Sequence, residues 1–173
     1  MALLRSVVGV DQVATGDAAG EDYRKDEALG ATPDDPCLAR SVAFLRRVQR
    51  DDGGWGEHES GALEDRFVDL GQSHPVQTSW ALLALVESGA PEAADAIEKA
   101  ERFLVGAQRS DGTWDSPRMV GCFFRTSLVD YTLYRLYFPV WALGAALNAR
   151  LRAALEPERS APDRARAFPR LPS

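Results

Sequence analysis

RSVAFLRRVQRDDGGW, residues 40–55, returns as KAERFLVGAQRSDGTW at residues 99–114, 59 positions further along the chain. We call these stretches the first and second copy of the repeated phrase. Seven equivalent pairs are identical with no gap between the copies: Phe44/Phe103, Leu45/Leu104, Gln49/Gln108, Arg50/Arg109, Asp52/Asp111, Gly53/Gly112 and Trp55/Trp114. A fixed internal period of this kind indicates a repeat architecture, in which each unit buries its apolar face against the next.

Length and composition exclude several classes of protein. The chain has 173 residues, enough for one domain or part of a larger one, and its hydrophobic content of 45% is ordinary for a soluble globular protein. A net charge of −6 argues against nucleic-acid binding. Two cysteines cannot make a disulfide framework, and no apolar run is long enough to form a transmembrane segment. We expect a bacterial protein that is cytoplasmic, either free or peripheral on the cytoplasmic membrane.

The hydrophobic periodicity predicts an all-α protein built from helix pairs, without strands. The first helix follows an N-cap at Asp35 and ends at the glycines after Asp52, since glycine adopts the left-handed conformation of a helix C-cap. The later helices are expected at 76–86, from Pro91 to about 107, and from about 126 to 155, where Pro139 marks a kink or a start. Residues 1–33 are expected to be poorly structured, residues 34–155 to form the helical domain, and residues 156–173 to be a disordered tail.

The repeated phrase has a chemistry that suits the end of a helix. Phe44 and its equivalent Phe103 anchor each helix in the core. A glutamine amide can donate and accept, so Gln49 and Gln108 are each expected to serve a carbonyl of their own helix and an N–H of a neighbour. Gly53 and Gly112 make the turn, and Trp55 and Trp114 are expected to fold back over the glutamines.

The phrase resembles the QW motif of class II terpene cyclases. In that family these motifs tie together the outer helices of an α/α-barrel and perform no chemistry. A second stretch, GCFFRTSLVDYTLYRLYFPVWALG at residues 121–144, resembles the C-terminal signature of squalene–hopene cyclases, and HPVQTSWALLAL at residues 74–85 is similar to another family segment. The resemblance covers roughly residues 33–147 and implies a partial α/α-toroid.

The resemblance also implies a substrate cavity lined by Phe123, Tyr131 and Tyr134. An aromatic face stabilises a carbocation through its quadrupole without offering a nucleophilic lone pair. Tyr131 and Tyr134 are three residues apart and would share a helix face. The simpler alternative is that these aromatic residues belong to the core or face a partner.

Several positions depart from the family pattern. Ser127 stands where the family has a second cation-stabilising phenylalanine, Cys122 and Phe124 replace the glycine and proline around the first, and Asp130 places a carboxylate beside Tyr131. The family starts its reaction with the aspartic acid of a D-x-D-D motif, and the chain contains no such motif.

The related prenyltransferase β-subunits require an Asp, Cys and His zinc set, and the spacing of Cys37, His58, His74 and Cys122 does not match one. We therefore expect neither a metal nor a cofactor.

The sequence predicts the C-terminal part of a squalene–hopene-type triterpene cyclase, a family that cyclises a polyprene such as squalene. Because the acid is missing, we expect the chain to be inactive alone, with no catalytic residue of its own. Three interpretations stay open: a subunit that completes its cavity with an acid-bearing cyclase subunit, a truncated remnant, or a non-catalytic helical module that binds an isoprenoid or a partner protein. The missing acid and Ser127 favour the remnant.

Overall fold

The computed structural model describes residues 36–123 and 127–155, with the side chain of Phe123 excluded. The described chain is mostly helical, as expected, and contains these elements: α1 (Pro36–Val48), α2 (Gly61–Glu64), α3 (Pro75–Ser88), a 3-10 turn (Pro91–Ala93), α4 (Ala94–Gly106), β1 (Gly121–Phe123), β2 (Ser127–Val129) and α5 (Tyr134–Leu155). The predicted N-cap Asp35 and the terminal segments predicted to lack structure lie outside the described residues.

Helix α3 occupies the centre of the fold. It begins with Pro75 at the first helical position, after the N-cap His74, and its C-cap Gly89 has a φ of 61°. The helix is buried on most sides, as its nearly continuous apolar sequence predicts, and it packs most extensively on α5, then on α4 and α1.

The core is an apolar cluster shared by the four long helices. Helices α1 and α4 each turn one apolar face toward α3, which is the amphipathic pattern expected of outer helices. The fully buried members include Leu45 from α1, Leu82 and Leu85 from α3, Leu104 from α4 and Ala142 from α5. On the rim, Arg150 of α5 forms an ion pair with the largely buried Glu101 of α4.

The structure corrects the prediction for residues 126–133. A helix from about Thr126 was predicted, but α5 begins at Tyr134, and the prediction that the chain has no strands is also wrong. Strands β1 and β2 pair in antiparallel fashion: Gly121 pairs with Val129, Cys122 with Leu128 and Phe123 with Ser127. The apolar spacing after Ser127 fits a helix locally, but pairing with an upstream segment selects the extended form.

Pro139 lies inside α5 and is buried, so it does not mark the start of that helix. Helices α3 and α5 each follow one copy of the repeated phrase, and they share the tripeptide Trp-Ala-Leu at residues 80–82 and 141–143, 61 positions apart. Helices α3 and α5 are thus equivalent elements of two successive units. No helix within the described ranges is long and apolar enough to cross a bilayer.

Candidate functional site

The turn of the first copy is held by a set of local hydrogen bonds. The indole Nε1 of Trp55 donates to the carbonyl of Leu45 at 2.9 Å, and Gly53, with a φ of 90°, donates its N–H to the carbonyl of Arg50 at 2.9 Å. Leu45 lies in the last turn of α1, where carbonyls lack helical partners, so the indole serves as a C-terminal cap. The buried Trp55 thereby fastens the turn to its own helix.

The second copy reproduces this geometry. The indole Nε1 of Trp114 donates to the carbonyl of Leu104 at 2.8 Å, and Gly112, with a φ of 82°, donates to the carbonyl of Arg109 at 2.9 Å. In both copies the glutamine Nε2 donates to the carbonyl of the turn glycine, at 2.9 Å from Gln49 and at 3.0 Å from Gln108. Equal sequences therefore give equal local structures.

The surroundings of the two copies differ. Gln49 donates a second hydrogen bond, 2.9 Å long, to the carbonyl of Ala96 in the neighbouring helix α4. Gly53 lies so close to α4 that a Cβ added to it would meet the carbonyl oxygen of Lys99 at 2.4 Å. Gln108 is exposed, and no atom of the residues that the structure describes lies within 4 Å of a Cβ built on Gly112. The first copy joins two helices, whereas the second copy presents the same surface to solvent.

The predicted role of the glutamine needs a correction. An amide that serves one carbonyl and one N–H was expected, but the nitrogen of Gln49 donates to two carbonyls. The carbonyls of Gly53 and Ala96 both face the same nitrogen, and an amide nitrogen has two hydrogens to give.

An aromatic cluster is the outstanding feature of the α3–α5 side of the fold. It consists of Trp80 on α3 together with Tyr131, Tyr134, Tyr137, Phe138 and Trp141, and its neighbouring ring centroids are 4.5 to 6.0 Å apart. Tyr134 lies at the centre, in edge contact with Trp80, Tyr131, Tyr137 and Phe138. Tyr131, Tyr137 and Trp141 are 41% to 59% exposed, so the cluster forms an open aromatic surface.

The structure places the predicted site residues as follows. Tyr131 and Tyr134 meet, with ring centroids 5.0 Å apart, but Tyr131 precedes α5, so the two do not share a helix face. The backbone of Phe123 ends strand β1, opposite Ser127, while its side chain lies outside the described residues. The two aligned phenylalanine positions, 123 and 127, are thus cross-strand partners. Asp130 is exposed beside Tyr131.

Sequence reasoning missed Trp80, Tyr137, Phe138 and Trp141 as members of this surface. Their signal was present, because the aromatic residues at positions 134, 137, 138 and 141 follow the i, i+3, i+4, i+7 spacing of one helix face. Trp80 could not be found in this way, since it comes from α3 and joins through tertiary packing.

Tyr137 and His74 both have pKa values shifted toward their neutral forms. Burial, with the neighbouring Tyr134 and Tyr131, raises the pKa of Tyr137 above its ordinary value, so its hydroxyl keeps its proton. Burial lowers the pKa of His74, although the Arg118 carbonyl and Asp130 oppose the shift. His74 accepts from the N–H of Val76 through Nδ1 and donates through Nε2 to the carbonyl of Arg118, 3.0 Å away. This histidine is a helix cap that also fastens the following loop.

The residues considered for zinc do not form a ligand set. In residues 36–123 and 127–155, no group of three His, Cys, Asp or Glu side chains could hold a metal ion. The Nδ1 of His58 instead contacts the hydroxyl of Ser60 at 3.0 Å.

Comparison with known proteins agrees with this architecture. The family model of the squalene–hopene cyclase C-terminal domain matches residues 24–148, so the match begins nine residues before Pro33. Human lanosterol synthase is 34% identical over 125 residues, which are 72% of this chain and 16% of that protein. The squalene–hopene cyclase of Bradyrhizobium diazoefficiens is 34% identical over 123 residues, 70% of this chain and 18% of that protein.

The mouse lanosterol synthase is 36% identical over 111 residues, 64% of this chain and 15% of the enzyme. The chain therefore spans less than a fifth of the length of these relatives, which come from both bacteria and mammals. Since the family match covers most of the sequence and the described part is a helical repeat, the chain belongs to the squalene–hopene cyclase family, as a portion of its C-terminal domain.

Proposed function

We propose that this chain forms one wall of the cavity in which a squalene–hopene-type triterpene cyclase folds and cyclises a polyprene such as squalene. The observation that carries the proposal is the open aromatic cluster, in which six rings from α3, α5 and the segment before α5 are in mutual contact. Membership of the family supplies the reaction class.

The cluster has the chemistry that cationic cyclisation requires. Aromatic faces attract a cation through their quadrupole, by about 0.5 to 2 kcal/mol for each ring depending on desolvation. The raised pKa of Tyr137 keeps its hydroxyl neutral, so this residue presents no phenolate that would capture the cation. Tyr134 has the central position, because its ring contacts four neighbouring rings. We propose that Phe123 extends this wall from strand β1.

The proposed reaction needs an acid from outside this chain. Protonation of an alkene requires a carboxylic acid kept in its protonated form, and the sequence contains no D-x-D-D motif. In this proposal a second cyclase segment supplies the acid, and the chain alone is inactive. Metals and organic cofactors take no part. We also place the protein in the cytoplasm, peripheral on the membrane, since its proposed substrate is a hydrocarbon.

A second candidate function is a non-catalytic module that binds an isoprenoid. This candidate is supported by the exposed apolar residues that continue along α5 beyond the aromatic cluster, namely Leu147, Leu151 and Leu155. A binding module would hold a neutral isoprenoid as well as a charged one, whereas a cyclase wall would prefer the charged form.

This difference defines the binding experiment. We would compare a neutral polyprene with an analogue of the same length that carries a tertiary ammonium at the site of a cyclisation cation, and follow tryptophan fluorescence. We expect the ammonium analogue to bind about 2- to 30-fold more tightly, the range that corresponds to 0.5 to 2 kcal/mol. The Tyr134→Leu variant should lose this preference. Equal binding of both ligands to the native chain would contradict the cyclase wall and favour the module.

The matched control is Phe67→Leu, which removes an aromatic ring that contacts Phe44 and is not a member of the cluster. This variant should keep the preference for the ammonium analogue.

In a second experiment, the chain is mixed with an acid-bearing cyclase segment and given squalene. Cyclised product should form only in the mixture, and its absence with well-folded components would contradict completion of the cavity by this chain.

A further inference from the structure

His74 joins three parts of the fold that lie far apart in the sequence. The residue is fully buried, and its backbone N–H donates to the carbonyl of Trp55 in the first copy at 2.8 Å. Its Nδ1 accepts from the N–H of Val76 in the first turn of α3 at 3.2 Å. Its Nε2 donates to the carbonyl of Arg118 at 3.0 Å, 44 positions further along the chain. Since both ring nitrogens have partners, the imidazole has one tautomer and one orientation, and it forms a fixed link between the start of α3 and the segment after the second copy.

Residue 118 leads directly into strands β1 and β2, which we call the strand pair. Arg118 lies three positions before β1, and its side chain forms an ion pair with Glu59. Within the described residues the two strands pack mainly on each other, and β2 is exposed along its whole length. The place of the strand pair in the fold therefore depends on its two ends, which are held by His74 before β1 and by the contact of Tyr131 with Tyr134 after β2.

The strand pair lies close to the first turns of α3. Cys122 of β1 and Leu128 of β2 line a cavity of about 20 Å³ together with Gln77 of α3. A cavity of this size has room for about one water molecule, so a small displacement of the strands would open it. The charge of Asp130, just after β2, also acts on His74, because it opposes the lowering of the histidine pKa by burial.

We infer that His74 is a positioning residue for the aromatic wall: through the carbonyl of Arg118 it holds the strand pair, and with it the backbone of Phe123 and the segment that carries Tyr131, beside α3. This inference rests on the proposed function, because the wall is the one proposed there. His74 is fully buried, so it acts through these residues and does not touch the substrate.

Two substitutions separate the roles of the two ring nitrogens. The amide oxygen of asparagine can replace Nδ1 as the acceptor of the helix cap, but its side chain is too short to reach the Arg118 carbonyl. The amide nitrogen of glutamine extends as far as Nε2 and can donate to Arg118, although glutamine is not a favoured N-cap residue. His74→Asn therefore keeps the cap and loses the link to Arg118, whereas His74→Gln keeps the link and loses the cap.

The rate at which iodoacetamide alkylates Cys122 reports the position of the strand pair. Cys122 is partly buried, while Cys37 of α1 is exposed and provides a reference rate in the same molecule. We expect His74→Asn to raise the ratio of the Cys122 rate to the Cys37 rate by about 2- to 12-fold, which corresponds to the 0.5–1.5 kcal/mol of one hydrogen bond. His74→Gln should keep the native ratio. An unchanged ratio in His74→Asn, or an equal rise in both variants, would overturn the inference.

The preference for the ammonium analogue over the neutral polyprene tests the role in the wall. We expect the native chain and His74→Gln to show the same preference, and His74→Asn to lose at least about twofold of it, the contribution of one aromatic ring. A full preference in His74→Asn would overturn the role of His74 in the wall, even if Cys122 reacts faster. A native chain without any preference would instead refute the proposed function itself, and the role in the wall with it, whatever the Cys122 ratio.

Ser88→Ala is the matched control, at the other end of α3. The hydroxyl of Ser88 donates to the carbonyl of Leu85 at 2.6 Å and accepts from the N–H of Ala90 at 3.2 Å. Its removal weakens the same helix without touching Arg118. We expect the native Cys122 ratio and the native ligand preference in this variant, even with a lower Tm. If Ser88→Ala changed both measurements as much as His74→Asn, they would follow the stability of α3, and the inference would be wrong.

Discussion

Replacing the turn glycine of each copy by alanine should have unequal effects on stability, although the two glycines have nearly the same conformation. Gly53 has a φ of 90° and Gly112 a φ of 82°, so alanine at either position carries the cost of a left-handed backbone, about 1–2 kcal/mol. Gly112→Ala should show this shared cost alone, because no atom in the described part of the chain lies within 4 Å of its Cβ.

Gly53→Ala should lower the free energy of unfolding considerably more than Gly112→Ala does. Its methyl group would lie 2.4 Å from the Lys99 oxygen and 2.8 Å from the carbonyl carbon, both of which are backbone atoms that cannot rotate away. The turn and α4 must separate, which costs about 1–3 kcal/mol as overpacking. The separation also removes the Gln49 hydrogen bond to Ala96, a loss of about 1 kcal/mol.

The expected gap between the two variants is therefore at least about 2 kcal/mol in the free energy of unfolding, or about 8 °C in Tm for a domain of this size. Urea unfolding of dilute protein, followed by tryptophan fluorescence, measures the gap without a contribution from association. If both variants lost the same free energy, within about 0.5 kcal/mol, the contact between the first copy and α4 would not contribute to stability as we describe.

Two further predictions concern the caps of the repeat. Trp55→Phe keeps an aromatic ring but leaves the Leu45 carbonyl without its donor, so we expect a loss of about 1–3 kcal/mol in urea unfolding, whereas an unchanged midpoint would contradict the capping role. The lowered pKa of His74 means that the folded state favours the neutral imidazole. Its contribution to stability should be complete above the ordinary histidine pKa, roughly 6.5, and decline as the pH falls toward the lower folded-state value. Since asparagine also caps helices, His74→Asn should flatten this dependence in thermal melts at a series of pH values, and an unaltered slope would assign it to other groups.

The aromatic cluster shows where prediction from the sequence reached its limit. Tyr131 and Tyr134 were expected to meet as neighbours on a helix, and they do meet, but across the junction between the segment after β2 and α5. The sequence around them is compatible with either conformation. The choice is made by pairing between residues 121–123 and 127–129, which no local period reveals. Trp80 was missed because it reaches the cluster through the packing of α3 on α5.

The repeated phrase also separates what the sequence predicts from what only the tertiary structure determines. Its sequence alone predicted the helices that precede the turns and the left-handed glycine of each turn, because a helix end, a turn glycine and an indole cap involve residues within ten positions of each other. Only the tertiary structure decided that Gln49 and Gly53 are covered by α4 while Gln108 and Gly112 are exposed. Identical residues form the same local hydrogen bonds. Whether a surface is buried depends on which helix lies beside it, and the sequence of the repeated phrase does not specify that helix.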